Sequence, residues 1–307
     1  MSSVSCIKPR LTPLEVVYFQ ALLPRFPLST NDLHYYRNKV KGYEGECYFD
    51  NLLLQNFLTQ GYLVPDLNFE QNNTSCQIDT LLISQQKIYL FEVKNFEGEH
   101  YIKGDSWCLR ASNKTITNPV HQMQRAETLL RQLLKPLRLD ISIESYVVFV
   151  NPAFTLYHAP FDLPVIFPTQ LNRFLKTLSH QTSALYNSHR KLAEFLLDNH
   201  VDDPESRRKV KYDYEDLKKG AVCSKCNSFD VKIGIYKTLC TRCGLIEEND
   251  ENLLKAIKAF TLLVPEKRVT INNINEWCNS AHSAKTIRRV LKNNYKLVKQ
   301  GKYSYYV

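Results

Sequence analysis

Asp79, Glu92 and Lys94 are the residues of this 307-residue chain whose types and spacing carry the clearest chemistry. Twelve residues separate the two carboxylates, and the lysine follows Glu92 at two positions' distance. Lys87 to Lys94 reads as a strand, so alternation sets Ile88, Leu90, Glu92 and Lys94 on one face and Tyr89, Phe91 and Val93 on the other. A carboxylate and an ammonium at the end of an apolar strand are costly to bury unless they pair or hold an ion. Asp79 falls on the preceding strand of the same hairpin, where its carboxylate can converge with that of Glu92. Hydrolysis of a phosphodiester calls for a divalent cation that offsets developing charge and activates water, and Mg2+ or Mn2+ takes one or two carboxylates for this purpose. Asp79 and Glu92 supply them. Lys94 is placed to orient or deprotonate the water, or to stabilise the charged transition state. The plainer alternative is a salt bridge at a strand end.

A second set is made of sulfur. Cys223 and Cys226, then thirteen residues, then Cys240 and Cys243 form two CxxC pairs, with Gly244 after the second. Four thiolates at this spacing suit tetrahedral Zn2+, and the segment between them reads as the hairpin of a zinc ribbon. Four protein ligands leave no open position, so this zinc is structural, and in a module of about 25 residues it supplies most of the folding energy. The alternative is a pair of free or redox dithiols. Cys6, Cys47, Cys76, Cys108 and Cys278 are isolated and read as reduced, mostly buried residues; a secreted disulfide framework does not fit.

A third set is basic. The formal charge of +9 is unevenly spread: residues 1–203 carry −1 and residues 204–307 carry +10. Lys285, Arg288, Arg289, Lys292, Lys296, Lys299 and Lys302 lie in a stretch without an acidic residue, interleaved with tyrosines, which is the footprint of a polyanion-binding surface. The competing reading is a helical protein-docking module with a solvated basic face.

These residues need elements to hold them. Ser29-Thr30 caps a long helical stretch through Phe57, with a break between two helices allowed at Gly42 or Gly45. Tyr62–Val64, Gln77–Ile83 and Lys87–Lys94 read as strands, the last two joined tightly at Ser84–Gln86. A helix runs from Pro119 to Leu134, an apolar strand from Tyr146 to Val150, and helices at about 169–178 and 183–199 close an α/β sandwich with a mixed central sheet. The charged run 201–220 reads as a linker. Helices at 252–263, about 271–279 and about 283–294, followed by a ribbon over 296–307, suggest a winged helix-turn-helix. In it Ser283 caps the recognition helix bearing Lys285, Arg288, Arg289 and Lys292, and Gln300-Gly301-Lys302 forms the tip of the wing.

The domain plan is therefore 1–200, a linker over 201–220, a zinc ribbon over 221–248 and a nucleic-acid-binding domain over 249–307. With 44% hydrophobic and 23% charged residues, the composition is that of a folded chain and not a disordered one. Neither a signal peptide nor an apolar run long enough to span a bilayer is present, which excludes a membrane partner and favours the cytoplasm.

Four short motifs resemble a known family: Gly42-Tyr43-Glu44-Gly45-Glu46, Gln77-Ile78-Asp79, Phe91-Glu92-Val93-Lys94-Asn95 and Asn118-Pro119-Val120-His121-Gln122. In this order they look like the nuclease-related domain, NERD, a branch of the restriction-endonuclease-like PD-(D/E)XK superfamily, over roughly residues 36–155. The resemblance implies a restriction-endonuclease-like mixed sheet flanked by helices, with Asp79, Glu92 and Lys94 as the catalytic core and Glu46 as the acidic residue of the first helix. It also implies that Gln122 orients a water or phosphate. Ile78 stands where the superfamily name has proline. Glu44 rivals Glu46, and a surface or capping role is the alternative for Gln122. His100 and His121 lie near these motifs and are given no role. The combined reading is a Mg2+-dependent nuclease acting on DNA, leaving a 5′-phosphate, in DNA processing or defence. RNA is the alternative substrate, and a non-catalytic DNA-binding or regulatory protein is the alternative function. Cutting both strands with one site per chain would call for a homodimer.

Overall fold

The computed structural model describes all residues except 1–3, 58, 140, 180–183, 203–207 and 302–303. Two compact units divide it: Met1–Pro13 with Asn38–Ser206, and Leu14–Arg37 with Arg207–Val307. The first unit is therefore not one continuous stretch, because Leu14–Arg37 groups with the C-terminal residues.

Along the chain, β1 (Val4–Cys6) is followed by α1 (Leu14–Leu22), α2 (Thr30–Asn56), β2 (Gly61–Gln71), β3 (Thr74–Ile83) and β4 (Lys87–Lys94). Next come β5 (Gly98–Lys103), β6 (Ser106–Leu109), β7 (Thr115–Ile116), α3 (Pro119–Leu134), β8 (Ser142–Phe149), β9 (Phe154–Tyr157), β10 (Val165–Ile166), α4 (Leu171–Ser179) and α5 (Asn187–Asp198). The central sheet has the order β1-β2-β3-β4-β8-β10. Antiparallel pairs join β2, β3 and β4, while β1, β8 and β10 pair in parallel with their neighbours, so the sheet is mixed as expected.

Helices cover both faces of that sheet. On one, Met123 and Leu130 of α3 and Leu192 and Leu196 of α5 pack with Leu81, Leu90 and Val147. On the other, Phe49 and Leu53 of α2 and Leu171 and Leu175 of α4 pack with Leu82, Tyr89, Phe91 and Val148. The period-2 reading of β4 therefore holds: Ile88 and Leu90 enter one core, and Tyr89, Phe91 and Val93 the other.

Alternation slips at one level of the sheet. Val64, Leu67 and Phe69 of β2 share a core, although strict alternation would split Val64 from Leu67, and β3 does the same with Ile78 and Leu81. Asp66, in the left-handed region at φ 49°, and Asp79 lie between the flanking pairs Pro65↔Thr80 and Leu67↔Ile78. At this level β3 leaves β4, since their pairing runs only from Ile83↔Ile88 to Thr80↔Phe91, whereas β4 stays paired with β8 along its whole length. Asp79 and Glu92 face the fork between the parted strands.

Several elements differ from the sequence reading. α2 is one unbroken helix through Gly42 and Gly45. β2 and β3 are longer than expected, joined by Asn72 and Asn73 at φ 50° and 56°, the pair of left-handed residues that a two-residue hairpin turn takes. The sheet β7-β6-β5-β9 is an addition that the sequence reading lacked; its Trp107 stacks on Phe149 at 5.9 Å between centroids.

The second unit contains β11 (Val231–Ile233), β12 (Lys237–Cys240), β13 (Ile246–Glu248), α6 (Asn249–Leu263), α7 (Ile271–Trp277), α8 (Ala284–Asn294), β14 (Leu297–Val298) and β15 (Tyr305–Tyr306). β11, β12 and β13 form a three-stranded antiparallel sheet. Leu253, Ile257 and Phe260 of α6, Ile274 and Trp277 of α7, and Ile287 and Leu291 of α8 share one core with Tyr18, Phe19 and Leu22 of α1. Tyr214 and Leu217 join it, so the described end of the 201–220 run is packed chain and not a free linker. Its charged residues conceal an apolar set at Tyr212, Tyr214 and Leu217. No helix among the described residues is long and apolar enough to cross a membrane.

Candidate functional site

The Asp79 carboxylate reaches across the fork and accepts the Val93 amide proton through Oδ2 at 2.7 Å. That anchors it on β4 between Glu92 and Lys94. The Lys94 ammonium donates to Glu92 Oε1 at 2.5 Å and to Gln122 Oε1 at 3.2 Å, with the Glu92 side chain 2% exposed. Gln122 lies in the first turn of α3. Asn118 caps this helix by accepting from the Val120 amide at 2.9 Å, and Pro119 occupies a position whose N–H has no helical partner. The Asn-Pro pair thus starts the helix at the point that brings Gln122 to Lys94.

Glu46 enters the same cluster from α2, through a residue the sequence reading missed. Arg10 is buried, its side chain 5% exposed, and its Nη1 donates to Glu46 Oε2 at 2.5 Å. Its Nε donates to Asp50 Oδ2 at 2.6 Å, and Nη2 donates to the Asp79 carbonyl, to Thr80 Oγ1 at 3.0 Å and to Asp50 Oδ1 at 3.2 Å. Thr80 Oγ1 in turn donates to Asp50 Oδ1 at 2.7 Å. Asp50 could have been noticed, since it follows Glu46 by four residues on one helix face. Arg10 carried no such signal. Glu44, the rival to Glu46, is exposed and outside this network.

Packing explains why a glycine stands at position 45 within the unbroken α2. A Cβ there would come within 2.6 Å of Asn95 Cβ, so the helix backbone lies directly against the segment after β4. Asn95 fixes the contact by donating to the Lys41 carbonyl at 2.7 Å and accepting from Asn151 at 3.1 Å. The glycine leaves room for the Asn95 side chain against the helix backbone, at some cost in helix propensity.

Electrostatically the cluster is short of positive charge. Burial, then the nearby Asp79 carboxylate, pushes both Glu46 and Glu92 well above the ordinary carboxylate range. Asp79 is raised as well, by burial against the opposing pull of Lys94 and the Val93 amide. Burial alone would lower Lys94, but Glu92 and Asp79 outweigh it and hold the ammonium charged. An all-oxygen donor set of this charge suits a hard divalent cation such as Mg2+ or Mn2+ better than a thiophilic one. Asp79 and Glu92 are the residues that would hold it.

The cysteines answer to a softer ion. All four sulfurs lie within 4.8 Å of one another, with Cys223 and Cys243, and Cys226 and Cys240, at 3.6 Å. A tetrahedron with Zn–S bonds of about 2.3 Å has edges of about 3.8 Å, so the set is compatible with Zn2+. The two knuckles repeat each other. Asn227 N donates to Cys223 O at 3.1 Å and Gly244 N to Cys240 O at 3.0 Å, and both residues take left-handed φ, 56° and 73°. Among the described residues this is the one group of three or more His, Cys, Asp or Glu ligands close enough to hold a metal in the present side-chain arrangement.

The third set is partly assembled. Ser283 caps α8 by accepting from the Thr286 amide at 3.2 Å, and Lys285, Arg288 and Lys292 are exposed at three- and four-residue steps. Arg289 turns away to a two-pronged ion pair with Asp250 of α6, at 2.5 and 2.6 Å. Lys302 lies outside the described residues.

Comparison with protein families matches residues 41–150 to the nuclease-related domain, NERD. Comparisons with curated proteins and with solved structures find no match. The matched span holds Glu46, Asp79, Glu92, Lys94 and Gln122 together, and so points to a nuclease-type fold and to nucleic acid as the partner.

Proposed function

We propose that this chain, whose residues 41–150 match the nuclease-related domain, is a metal-dependent nuclease that hydrolyses DNA phosphodiester bonds. The observation that carries the reading is the anchoring of Asp79 on the Val93 amide, which brings two carboxylates and the Lys94 ammonium to one fork in the sheet. A Mg2+ or Mn2+ ion held by Asp79 and Glu92 would offset charge developing on phosphate and lower the pKa of a bound water. Lys94, a charged donor oriented by Glu92 and Gln122, would have its remaining N–H to donate to the reacting oxygens and stabilise charge there. Gln122 holds that ammonium by its amide oxygen and so keeps it from folding wholly onto Glu92. Glu46 and Arg10 fix the α2 side of the site. The product would carry a 5′-phosphate if the chemistry of the PD-(D/E)XK superfamily holds.

The second unit is proposed to bring the site to DNA. The order α6, α7, α8 and β14–β15, with an isolated bridge from Val269 to Tyr306, follows the plan of a winged helix-turn-helix. Exposed Lys285, Arg288 and Lys292 on its capped third helix are suited to phosphate contacts, with Lys302 assigned to the same surface from sequence. Zn2+ at the cysteine quartet would be structural.

The test is digestion of circular and linear DNA, with RNA in parallel, by the full-length protein with and without Mg2+ or Mn2+. Wild type is expected to cut DNA only with the metal, and Glu92→Ala to lose at least about 10²-fold in rate while keeping its fold. Cleavage without divalent metal, or undiminished cleavage by Glu92→Ala, would sink the assignment of the site. Preferential cleavage of RNA would redirect the substrate.

A further inference from the structure

We infer that Arg10 occupies the place of a second cation, so that the carboxylate cluster takes one divalent ion and not two. This rests on the proposed nuclease reading and adds a metal count to it. Four carboxylates, Glu46, Asp50, Asp79 and Glu92, meet two side-chain cations, Arg10 and Lys94, in a mostly buried cluster. Formally that leaves two negative charges, which one divalent ion cancels. A second divalent ion would leave a buried surplus of two positive charges before any substrate arrives, and buried net charge is costly.

Geometry points the same way. Two-metal sites place their ions about 3.5–4 Å apart, each needing its own carboxylate oxygens. On the α2 side three of the four oxygens are taken: Arg10 Nη1 holds Glu46 Oε2 at 2.5 Å, and Nε and Nη2 hold the two oxygens of Asp50 at 2.6 and 3.2 Å. Thr80 adds a further hydrogen bond to Asp50 at 2.7 Å. A guanidinium cannot give up its charge in this setting and its planar fork matches paired carboxylates, so it is a permanent occupant where a metal would come and go. Its Nη2 also donates to the Asp79 carbonyl, which makes Arg10 a positioning residue for the strand that carries a proposed metal ligand. Asp79 and Glu92 remain for the single ion.

Titration of the zinc-loaded full-length protein with Mn2+ tests this, reading free Mn2+ by electron paramagnetic resonance. Wild type is expected to bind one Mn2+ per chain beyond its zinc, and Glu92→Gln to bind none. Glu46→Gln should keep one Mn2+, with affinity within about tenfold of wild type, because Glu46 serves Arg10. Arg10→Met, which frees Glu46 and Asp50, should bind two. Should Arg10→Met fail to fold, the wild-type count and Glu46→Gln still decide. Two Mn2+ in wild type, or complete loss of binding in Glu46→Gln, overturns the inference while leaving the nuclease reading intact. An Arg10→Met protein that folds and binds one Mn2+ as wild type does also overturns it. Wild type that binds no Mn2+ overturns the nuclease reading and this inference with it.

Discussion

Lys94 donates to Glu92 and to Gln122 at once, so removing it differs in kind from removing a proposed ligand. Glu92 without its ammonium is a freer carboxylate, and Mn2+ binding by Lys94→Ala should be retained or tightened. The cleavage rate should fall by about 10²–10⁴-fold, the range of a positioned charged donor or acid. Gln122→Ala removes one hydrogen bond to that charged donor and should cost about tenfold or more, in line with about 1.5–3 kcal/mol for a bond to a charged group. Single-turnover cleavage measured beside Mn2+ titration separates the two effects; loss of metal binding in Lys94→Ala would make Lys94 a prop for the carboxylates and not a donor to substrate. Asp79, Glu92 and Lys94 were readable because a strand repeats every two residues and a hairpin brings its two strands together. Arg10 and Asp50 were not, since Arg10 meets partners 36 to 70 positions away through tertiary packing that leaves no local pattern.

Elements carry information of a coarser sort. The start of α8 was legible from Ser283 and its basic face from the three- and four-residue spacing, and both hold in the structure. The partner of Arg289 was not legible, because Asp250 lies 39 residues back on α6. A guanidinium held by both oxygens of Asp250 is less available to a phosphate than the unpaired arm the sequence suggests. If α8 faces DNA, Arg288→Ala and Lys292→Ala should each flatten the slope of log binding constant against log salt by about 1. Arg289→Ala should change it clearly less. Fluorescence anisotropy with labelled duplex at several salt concentrations provides the slopes, and equal changes for all three variants would mean that the Asp250 pair opens on binding. At α2 the same gap applies: the sequence allows a break at Gly42 or Gly45, whereas the helix runs through, and what requires a glycine at 45 is the approach of Asn95 from another element.

At the scale of the whole molecule, the sequence separates by charge and the structure separates by packing, and the two divisions do not coincide. Net charge is −1 over residues 1–203 and +10 over residues 204–307, and the linker-like run from residue 201 places the end of the first domain nearby. Packing instead sends Leu14–Arg37 to the C-terminal unit, where Tyr18, Phe19 and Leu22 are buried with Leu253, Ile257 and Phe260. Reading a domain as a continuous stretch hides such an exchange, because an apolar helix near the N-terminus matches any nearby core equally well on periodicity alone. Arg25 adds polar ties of the same kind, donating to the carbonyls of Lys218 at 2.8 Å and Gly220 at 3.1 Å, with its guanidinium 4.0 Å from the Trp277 ring centre. Burying one large apolar side chain contributes about 1.5–3 kcal/mol, so three of them rival a good part of the 5–15 kcal/mol that holds a typical domain folded. A fragment of residues 207–307 loaded with zinc is therefore expected to melt at markedly lower temperature, or without a cooperative transition, than the same fragment joined to residues 14–37 by a flexible linker. Circular dichroism during heating distinguishes them. Equal melting of the two fragments would mean that α1 is an ornament on the C-terminal core and that the boundary near residue 200 was the physically relevant one.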